Sequence, residues 1–320
     1  MTALLADIGG TNTRVALADG KVVRPDSIAK FSNAEFDSLE PILKRYLAEA
    51  GIPSVEGACV AAAGPVRNGV AEMTNLSWVI DHPQLTRATG ATHVAILNDL
   101  QAQGQALNHI NPDLLQSVVT GKAVAGASML VVGLGTGVNA APVHHTAWGS
   151  LVPPSECGHV SMPIRTPRDL ALAQFIETYG PEAHGFAGVE DALAGRGLEH
   201  IYAFVTHEAG HLTAQSSAQI MADLAAGAPL AREAGRLYVH ILGATLGNLA
   251  LTHLPYGGIF LIGGMARALT PYMAEMGLAA SLTDKGRFEG FLSSFPVWVV
   301  EDDFAALTGC AAYLASGGQG

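Results

Sequence analysis

Short apolar runs alternate along this chain with longer segments in which apolar residues recur at helical spacing. Such runs are typical of buried strands, and such segments are typical of helices that bury one face. The pattern predicts strands near residues 3–8, 13–18, 57–63, 93–97, 129–132, 138–143, 259–262 and 297–300. It predicts helices near residues 34–50, 99–108, 168–178, 190–194, 198–207, 216–226, 228–253, 268–276 and 303–315. An α/β fold follows, with an antiparallel strand pair ahead of strand–helix units in each half.

Two apolar stretches approach the length of a membrane span. Residues 123–143 carry no charge, but their four glycines and Pro142 favour a strand, a turn and a second strand. We interpret residues 236–254 as a buried interdomain helix. Gly243 and Gly247 lie on one face of that helix, where a neighbouring backbone can approach closely.

Composition and charge exclude several classes of protein. The 320 residues are 49% apolar, which suits two domains with large cores. A net charge of −11 argues against a nucleic-acid partner, because nothing offsets repulsion by phosphates. Cys59, Cys157 and Cys310 are isolated, so neither a disulfide framework nor a thiolate zinc site is expected. The N-terminus lacks the pattern of a signal peptide, and we expect a cytoplasmic protein.

The chain opens with an apolar strand that runs into a glycine pair and out into a second strand. Gly9 and Gly10 can take positive φ and expose backbone N–H groups, and Thr11 and Asn12 add side-chain donors. Asp7 places a carboxylate where a nucleotide-bound Mg²⁺ can be reached through water. The segment therefore predicts a phosphate-binding hairpin. The alternative is an ordinary turn between two strands.

Two further glycine turns follow predicted strands. Residues 133–137, Gly-Leu-Gly-Thr-Gly, repeat the design of strand, turn and strand, and the pair Gly263–Gly264 separates a strand from a helix. The chain contains no G-x-x-x-x-G-K-[ST] segment, and residues 133–138 lack the last glycine of G-x-G-x-x-G. The first two turns thus predict phosphate contacts without either common nucleotide-binding signature.

The pair Asn98–Asp99 lies just past a buried strand and at a predicted helix start. Burial raises the pKa of a carboxyl there, and the helix N-terminus lowers it. Phosphoryl transfer to an alcohol needs an oriented acceptor for the hydroxyl proton, and Asp99 is our candidate for that base. The alternative is that Asp99 only caps the helix.

Glu156 and His159 have the E-x-x-H spacing that supplies metal ligands from a helix. Pro153, Pro154 and Gly158 argue against a helix here, so the segment is predicted to be a loop that can offer a carboxylate and an imidazole to a ring of hydroxyl groups. Glu190 begins a helix-like stretch, where the helix dipole alone also favours glutamate.

Six segments in a fixed order give the chain a specific resemblance. They are Asp7–Asn12, Met73–Trp78, Leu97–Leu100, Glu156–Val160, Leu193–Leu198 and Asp284–Phe288. The chain resembles the bacterial glucokinases of the sugar kinase, Hsp70 and actin ATPase superfamily over almost its whole length. The resemblance implies two ribonuclease-H-like domains that flank an interdomain cleft. The smaller domain covers residues 1–108 and 301–320, and the larger covers residues 109–300.

The resemblance also implies ATP and Mg²⁺ as cofactors, glucose as substrate, a homodimer, and catalysis by Asp99. The implied sugar-binding residues are Asn98, Asp99, Glu156, His159 and Glu190. The implied nucleotide-binding residues are Asp7, Gly9, Gly10, Thr11, Asn12, Gly135, Thr136, Gly137, Gly263 and Gly264, with Asp7 reaching the metal through water.

The chain departs from the family pattern in two places. Many glucokinases have G-E-G-G-H where this chain has Ser-Glu-Cys-Gly-His at 155–159, and G-T-G-L-G where it has Gly-Thr-Gly-Val-Asn at 135–139. A kinase for mannose, fructose or glucosamine is the alternative function. A non-catalytic sugar-sensing regulator fits less well, because the first strand begins by residue 3 and leaves no room for a helix-turn-helix before it.

Overall fold

The computed structural model describes residues 1–73, 76–181 and 183–318. The strands are β1 (Thr2–Ile8), β2 (Asn12–Asp19), β3 (Val22–Val23), β4 (Ala29–Ser32), β5 (Gly57–Ala62), β6 (Val66–Arg67), β7 (Val70–Glu72), β8 (Val79–Asp81), β9 (His93–Asn98), β10 (Leu115–Val119), β11 (Met129–Leu134), β12 (Val138–Thr146), β13 (Gly149–Leu151), β14 (Gly258–Ile262) and β15 (Val297–Val300). The α-helices are α1 (Leu39–Glu49), α2 (His82–Thr89), α3 (Asp99–Ala106), α4 (Pro167–Thr178), α5 (Val189–Leu193), α6 (Gly195–Glu208), α7 (Ser217–Ala225), α8 (Pro229–His253), α9 (Gly264–Met273), α10 (Leu278–Thr283), α11 (Glu289–Leu292) and α12 (Ala305–Ala315).

The chain divides into two compact units. Unit 1 comprises Met1–Pro112, Val143–Pro154 and Asp302–Gly320, and unit 2 comprises Asp113–Pro142 and Ser155–Glu301. The chain therefore leaves unit 1 twice and returns to it twice, first with Val143–Pro154 and then with the segment that contains α12.

The sheet of unit 1 has the strand order β3-β2-β1-β5-β9, and β4 also pairs with β2. β1 and β2 form an antiparallel hairpin, whereas β1, β5 and β9 run parallel. One face of β1 packs in a core with α1 and α2, and the other packs in a core with α3 and α12. Because both faces are covered, the strand is apolar along nearly its whole length.

Helix α12 is in close contact with α3 inside unit 1. A Cβ atom on Gly309 of α12 would clash with the carbonyl oxygen of Ala102 in α3. The same core contains the buried thiols of Cys59 and Cys310. The helix that begins at Asp99 therefore rests on the last helix of the chain.

The segment Val143–Pro154 differs from the predicted domain assignment, which placed it in the larger domain. Its backbone is bound by α3 of unit 1, where the side-chain amides of Gln101 and Gln105 donate to the carbonyls of Val152 and Ser150, each over 2.9 Å. Amide side chains that satisfy buried carbonyls carry no periodic signal, so the sequence pattern does not reveal this attachment.

The second sheet has the strand order β10-β15-β14-β11-β12-β13. Helix α8 packs chiefly against α5, α6, α7 and α10, all within unit 2, so the prediction of an interdomain helix is wrong. The expected close approach at its small residues is confirmed. A Cβ on Gly247 would clash with the carbonyl oxygen of Leu282, and one on Gly243 would lie 2.5 Å from the Cβ of Ser281.

All eight predicted strands are present, and each predicted helix has a counterpart. The helix predicted over 34–50 begins only at Leu39, because residues 33–35 form a 3₁₀ turn and Ser38 is extended. The short strands β3, β4, β6, β7, β8, β10 and β13 and the helices α2, α10 and α11 were not predicted. Thr74 and Asn75, within one of the six segments, lie outside the described residues. In the described ranges no helix has the length and apolarity to cross a bilayer.

Candidate active site

The first glycine turn joins β1 to β2 in unit 1. The N–H of Gly9 donates to the carbonyl of Asn12 over 3.0 Å. Gly9 does not have a left-handed φ, so that expectation is wrong for this residue. The buried amide of Asn33 holds the turn, since its Nδ2 donates to Gly9 O and its Oδ1 accepts from Thr13 Oγ1, each over 2.8 Å. The other residues predicted to bind nucleotide here, Gly10, Thr11 and Asn12, are half-buried or exposed.

Asp7 lies on β1 directly before this turn and faces Arg14 on β2. Arg14 Nη1 is 3.2 Å from Asp7 Oδ2. Burial raises the pKa of Asp7, and the neighbouring guanidinium opposes that rise. Arg14 thus favours the charged carboxylate, which is the form that a cation or metal-bound water would meet.

Asn98 ends β9, and Asp99 begins α3. Asn98 is the N-cap, because its Oδ1 accepts from the N–H of Leu100 over 3.0 Å and Gln101 completes a capping box. The Asn98 Nδ2 donates to the carbonyl of Gly64 over 3.0 Å. Asp99 is therefore the first helical residue rather than the cap, although its Oδ1 also accepts from Leu100 N over 2.8 Å.

Asp7 and Asp99 lie at the same edge of the parallel strands β1, β5 and β9. Asp7 is in register with Ala61, and Ala62 is in register with Asn98. Burial, with a further contribution from the charge of Asp7, raises the pKa of Asp99 to about 6. A carboxylate with that pKa is a stronger base than an exposed aspartate and is still ionised at neutral pH.

The second glycine turn lies between β11 and β12 in unit 2. Its backbone is closed by Gly135 N donating to Gly137 O over 3.0 Å. Glu190 of α5 lies against it, with Oε2 accepting from the N–H of Val138 over 2.8 Å. The other oxygen, Oε1, is 2.6 Å from Arg196 Nη2. Glu190 is thus held by one backbone donor and one guanidinium, while Thr136 of the turn is exposed.

Residues 157–159 form a single 3₁₀ turn. The prediction that Glu156 and His159 lie in a loop rather than on an α-helix is therefore confirmed. Glu156 and His159 are both exposed. A Cβ on Gly158 would clash with the carbonyl oxygen of Val138 and lie 3.4 Å from the Cβ of Glu190. Glycine at position 158 therefore lets the Glu156 loop pack directly on the second turn and beside Glu190.

The third turn, Gly263–Gly264, joins β14 to α9. Gly263 has a φ of 110°, and a Cβ there would clash with the carbonyl oxygen of Leu134 at the end of β11. Gly264 has open space around its Cα. The second and third turns therefore adjoin, and neither Gly263, the N-cap of α9, nor Gly264, its first residue, carries a side chain.

The described residues contain no group of three or more His, Cys, Asp or Glu side chains that could hold a metal ion. The carboxylate of Asp7 fits Mg²⁺, which keeps several waters and is bound by one or two carboxylates together with phosphate. Asp7 is therefore the residue that would meet a nucleotide-bound cation through water.

The structure groups the predicted residues in two sets. Unit 1 brings together the first turn with Asp7, Asn98 and Asp99, and unit 2 brings together the other two turns with Glu156, His159 and Glu190. Sequence reasoning missed four supporting side chains that hold these sets in place, namely Arg14, Asn33, Asn139 and Arg196. Three of them had a signal in the sequence: Arg14 lies opposite Asp7 in a predicted hairpin, Asn139 departs from the family pattern, and Arg196 lies within the segment Leu193–Leu198.

Known proteins share this architecture. The family model described as Glucokinase matches residues 4–317. The glucokinase of Mesorhizobium japonicum is 31% identical over 312 residues, which cover 97% of this chain and 90% of that protein. The crystal structure of a glucokinase from an Antarctic psychrotroph has a TM-score of 0.87 at 28% identity and covers 98% of each chain.

A more distant structure shows the same fold. The ROK family glucokinase from Streptomyces griseus, solved in complex with glucose and AMPPNP, has a TM-score of 0.64 at 17% identity and covers 98% of this chain and 99% of that one. Two sheet-based α/β units with glycine turns at their strand ends define a sugar kinase of the actin-like ATPase class. The chain belongs to the glucokinase family.

Proposed function

We propose that this enzyme phosphorylates D-glucose with ATP to glucose 6-phosphate, the first step of glycolysis, with Asp99 as general base. Membership of the glucokinase family supports the reaction. The observation that carries the assignment of the base is the carboxyl group of Asp99, which begins α3 at the strand edge shared with Asp7 and has a pKa of about 6.

Asp99 takes the proton of the glucose 6-hydroxyl as that oxygen forms its bond to the γ-phosphorus. The bond from the γ-phosphorus to the bridging oxygen breaks, and ADP leaves with its electron pair. Because the transition state of such a transfer is loose, orientation of the hydroxyl and neutralisation of charge matter more than the strength of the base. The peptide N–H of Leu100 donates to Asp99 Oδ1 and so fixes the direction of the carboxylate.

The ring hydroxyls of the sugar bind to Asn98, Glu156, His159 and Glu190. Glu190 is preoriented by Val138 and Arg196, and Asn98 by Gly64 and Leu100. Polar groups held in this way discriminate strongly between epimers, because a misplaced hydroxyl leaves one of them unpaired.

The three glycine turns bind ATP, and the N–H groups of Gly9 and Gly135 close two of these turns rather than donate to the nucleotide. The residues of the turns are Gly9, Gly10, Thr11, Asn12, Gly135, Thr136, Gly137, Gly263 and Gly264. Asp7 would hold a nucleotide-bound Mg²⁺ through water, and the cation would neutralise phosphate charge. The AMPPNP present in the Streptomyces griseus structure supports ATP as the phosphoryl donor.

The decisive experiment is a coupled assay of the purified enzyme with Mg·ATP over glucose, mannose, fructose and glucosamine. We expect the highest kcat/KM with glucose, and no product when metal, ATP or sugar is omitted. The Asp99→Asn variant should lose turnover, whereas Asp26→Asn, at an exposed position of the same unit, should retain it. A higher kcat/KM with another hexose would show that glucose is not the preferred substrate. Full turnover by Asp99→Asn would show that Asp99 is not the general base.

We further propose that the enzyme is a cytoplasmic homodimer. The family resemblance supports the dimer, and the free thiols of Cys59, Cys157 and Cys310 are consistent with a reducing compartment. Sedimentation equilibrium should give twice the chain mass of 33.0 kDa. A single-chain mass at micromolar concentration would contradict the dimer.

A further inference from the structure

The side chain of Asn139, the second residue of β12, lies at the centre of the loop that contains Glu156. Its Oδ1 accepts from Ser155 Oγ over 2.9 Å and from the N–H of Cys157 over 3.1 Å. Its Nδ2 donates to the carbonyl of Ser155 and lies 3.5 Å from Glu156 Oε2. One amide group thus binds the backbone on both sides of Glu156 and touches its carboxylate.

The preceding residue of β12, Val138, performs the corresponding task for Glu190. Its N–H donates to Glu190 Oε2 over 2.8 Å, and its carbonyl oxygen packs on Gly158. Two consecutive residues of β12, directly after the second glycine turn, therefore contact both glutamates to which we assign sugar binding.

Three positions at which the chain departs from the glucokinase pattern meet in this one network. They are Asn139, Ser155 and Cys157, and glycine is common at all three in the family. The Ser155 hydroxyl also donates to the carbonyl of Ala140. Burial raises the pKa of the Cys157 thiol, so the thiol adds no charge beside Glu156. Side-chain hydrogen bonds of Asn139 and Ser155 thus hold the loop around Glu156.

We propose that Asn139 is a positioning residue for hexose recognition, which fixes the Glu156 carboxylate and thereby sets both sugar affinity and discrimination between hexoses. The proposal rests on the sugar-binding role given above to Glu156. A carboxylate held from both sides accepts only a correctly placed hydroxyl, whereas a mobile one adapts to misplaced hydroxyls as well. Asn139 is not expected to touch the phosphoryl group, so its loss leaves the chemical step intact.

The test compares Asn139→Ala with Asn248→Ala, an exposed asparagine of the same unit on α8. For Asn139→Ala we expect KM for glucose to rise by about tenfold, the effect of one lost well-placed hydrogen-bond partner. The kcat and the KM for ATP should stay within about twofold, because an interaction that only positions the sugar contributes to binding rather than to the chemical step. The preference for glucose over mannose in kcat/KM should fall, and Asn248→Ala should match the wild type in every constant.

Two further variants separate the possible outcomes. Asn139→Asp keeps the shape but turns the donor near Glu156 into an acceptor, so it should weaken glucose binding more than Asn139→Ala. Glu156→Ala, measured by calorimetric glucose binding, tests the underlying assignment. If Glu156→Ala weakens binding and Asn139→Ala does not, the positioning role is wrong. If Glu156→Ala binds glucose normally, the assignment of Glu156 itself fails. Equal increases in the KM for ATP and the KM for glucose in Asn139→Ala would indicate a general structural defect and overturn the proposal.

Discussion

Arg14 and Asp7 face each other across the β1–β2 hairpin, with Nη1 and Oδ2 separated by 3.2 Å. Burial raises the pKa of Asp7 and Arg14 opposes that rise, so the guanidinium favours the charged form of this carboxylate beside the first glycine turn. If Asp7 has the role proposed above, Arg14 supports it from outside the predicted motif.

The first prediction concerns this pair. Arg14→Gln should raise the KM for Mg·ATP several-fold, and by more at pH 6 than at pH 8, because the pKa of Asp7 moves further up without its cation. Lys30→Gln removes the same charge from the strand that pairs with Arg14 and should leave the KM unchanged. Initial-rate kinetics at both pH values measure the effect. Equal behaviour of the two variants would contradict it.

The second prediction is the acid limit of activity. Since Asp99 accepts a proton only as the carboxylate and has a pKa of about 6, kcat should fall as the pH drops through about 6, rather than near the ordinary value of 3.8. Asp99→Asn should lower kcat by about 10²–10⁴, the usual effect of losing a general base. A flat wild-type profile of kcat from pH 8 to pH 5 would argue against Asp99 as the base.

The third prediction is that the ionised carboxylate of Asp99 lowers the free energy of unfolding at neutral pH. The pKa of Asp99 is higher in the folded protein than in the unfolded chain, so the folded state binds more protons between pH 3.8 and about 6. Stability conferred by the protonated group is therefore lost as the pH rises through this window. At pH 7.5, Asp99→Asn should melt at the same temperature as the wild type or higher, because its amide oxygen still accepts from Leu100. A decrease of several degrees would favour a purely capping role.

The fourth prediction separates the sugar loop from the nucleotide turn. Gly158→Ala forces a clash with the backbone of Val138 and should raise the KM for glucose by at least about tenfold, whereas the KM for ATP changes little. Gly290→Ala has open space around its Cα and should match the wild type in kinetics and melting temperature. An unchanged KM for glucose in Gly158→Ala would show that the Glu156 loop need not pack on the second turn.

The fifth prediction is that a change in the third glycine turn, Gly263–Gly264, affects ATP binding rather than glucose binding. Gly263→Ala combines a left-handed φ of 110° with a clash against the backbone of Leu134, so it should chiefly raise the KM for ATP. A selective increase in the KM for glucose would contradict the assignment of this turn to the nucleotide.

The long elements of this fold were predictable because each has enough residues to show a period. β1, β5 and β14 are buried on both faces and read as continuous apolar runs. Strands of two or three residues, such as β3 and β6, have no measurable period, and their existence depends on partners brought in by the tertiary fold.

Some residues of the candidate site could likewise be predicted from the sequence, and others could not. Asp99 and the glycine turns could be found because they follow apolar strands, where chain geometry requires glycine or a cap. The contacts of Asn139 could not be found, since they join it to residues 16 to 18 positions away. Arg196 lies within the segment Leu193–Leu198, but its pairing with Glu190 could not be found, because that pairing depends on the turn between α5 and α6.

The return of the chain to unit 1 has a consequence for synthesis. Helix α12 packs so closely on α3 that Gly309 admits no side chain against Ala102. During translation, β1, β9 and the Asp99 helix leave the ribosome long before the helix that completes their shared core. Unit 1 can therefore reach its final packing only after α12 has left the ribosome, and the proposed base is held in place by a helix that is made long after its own.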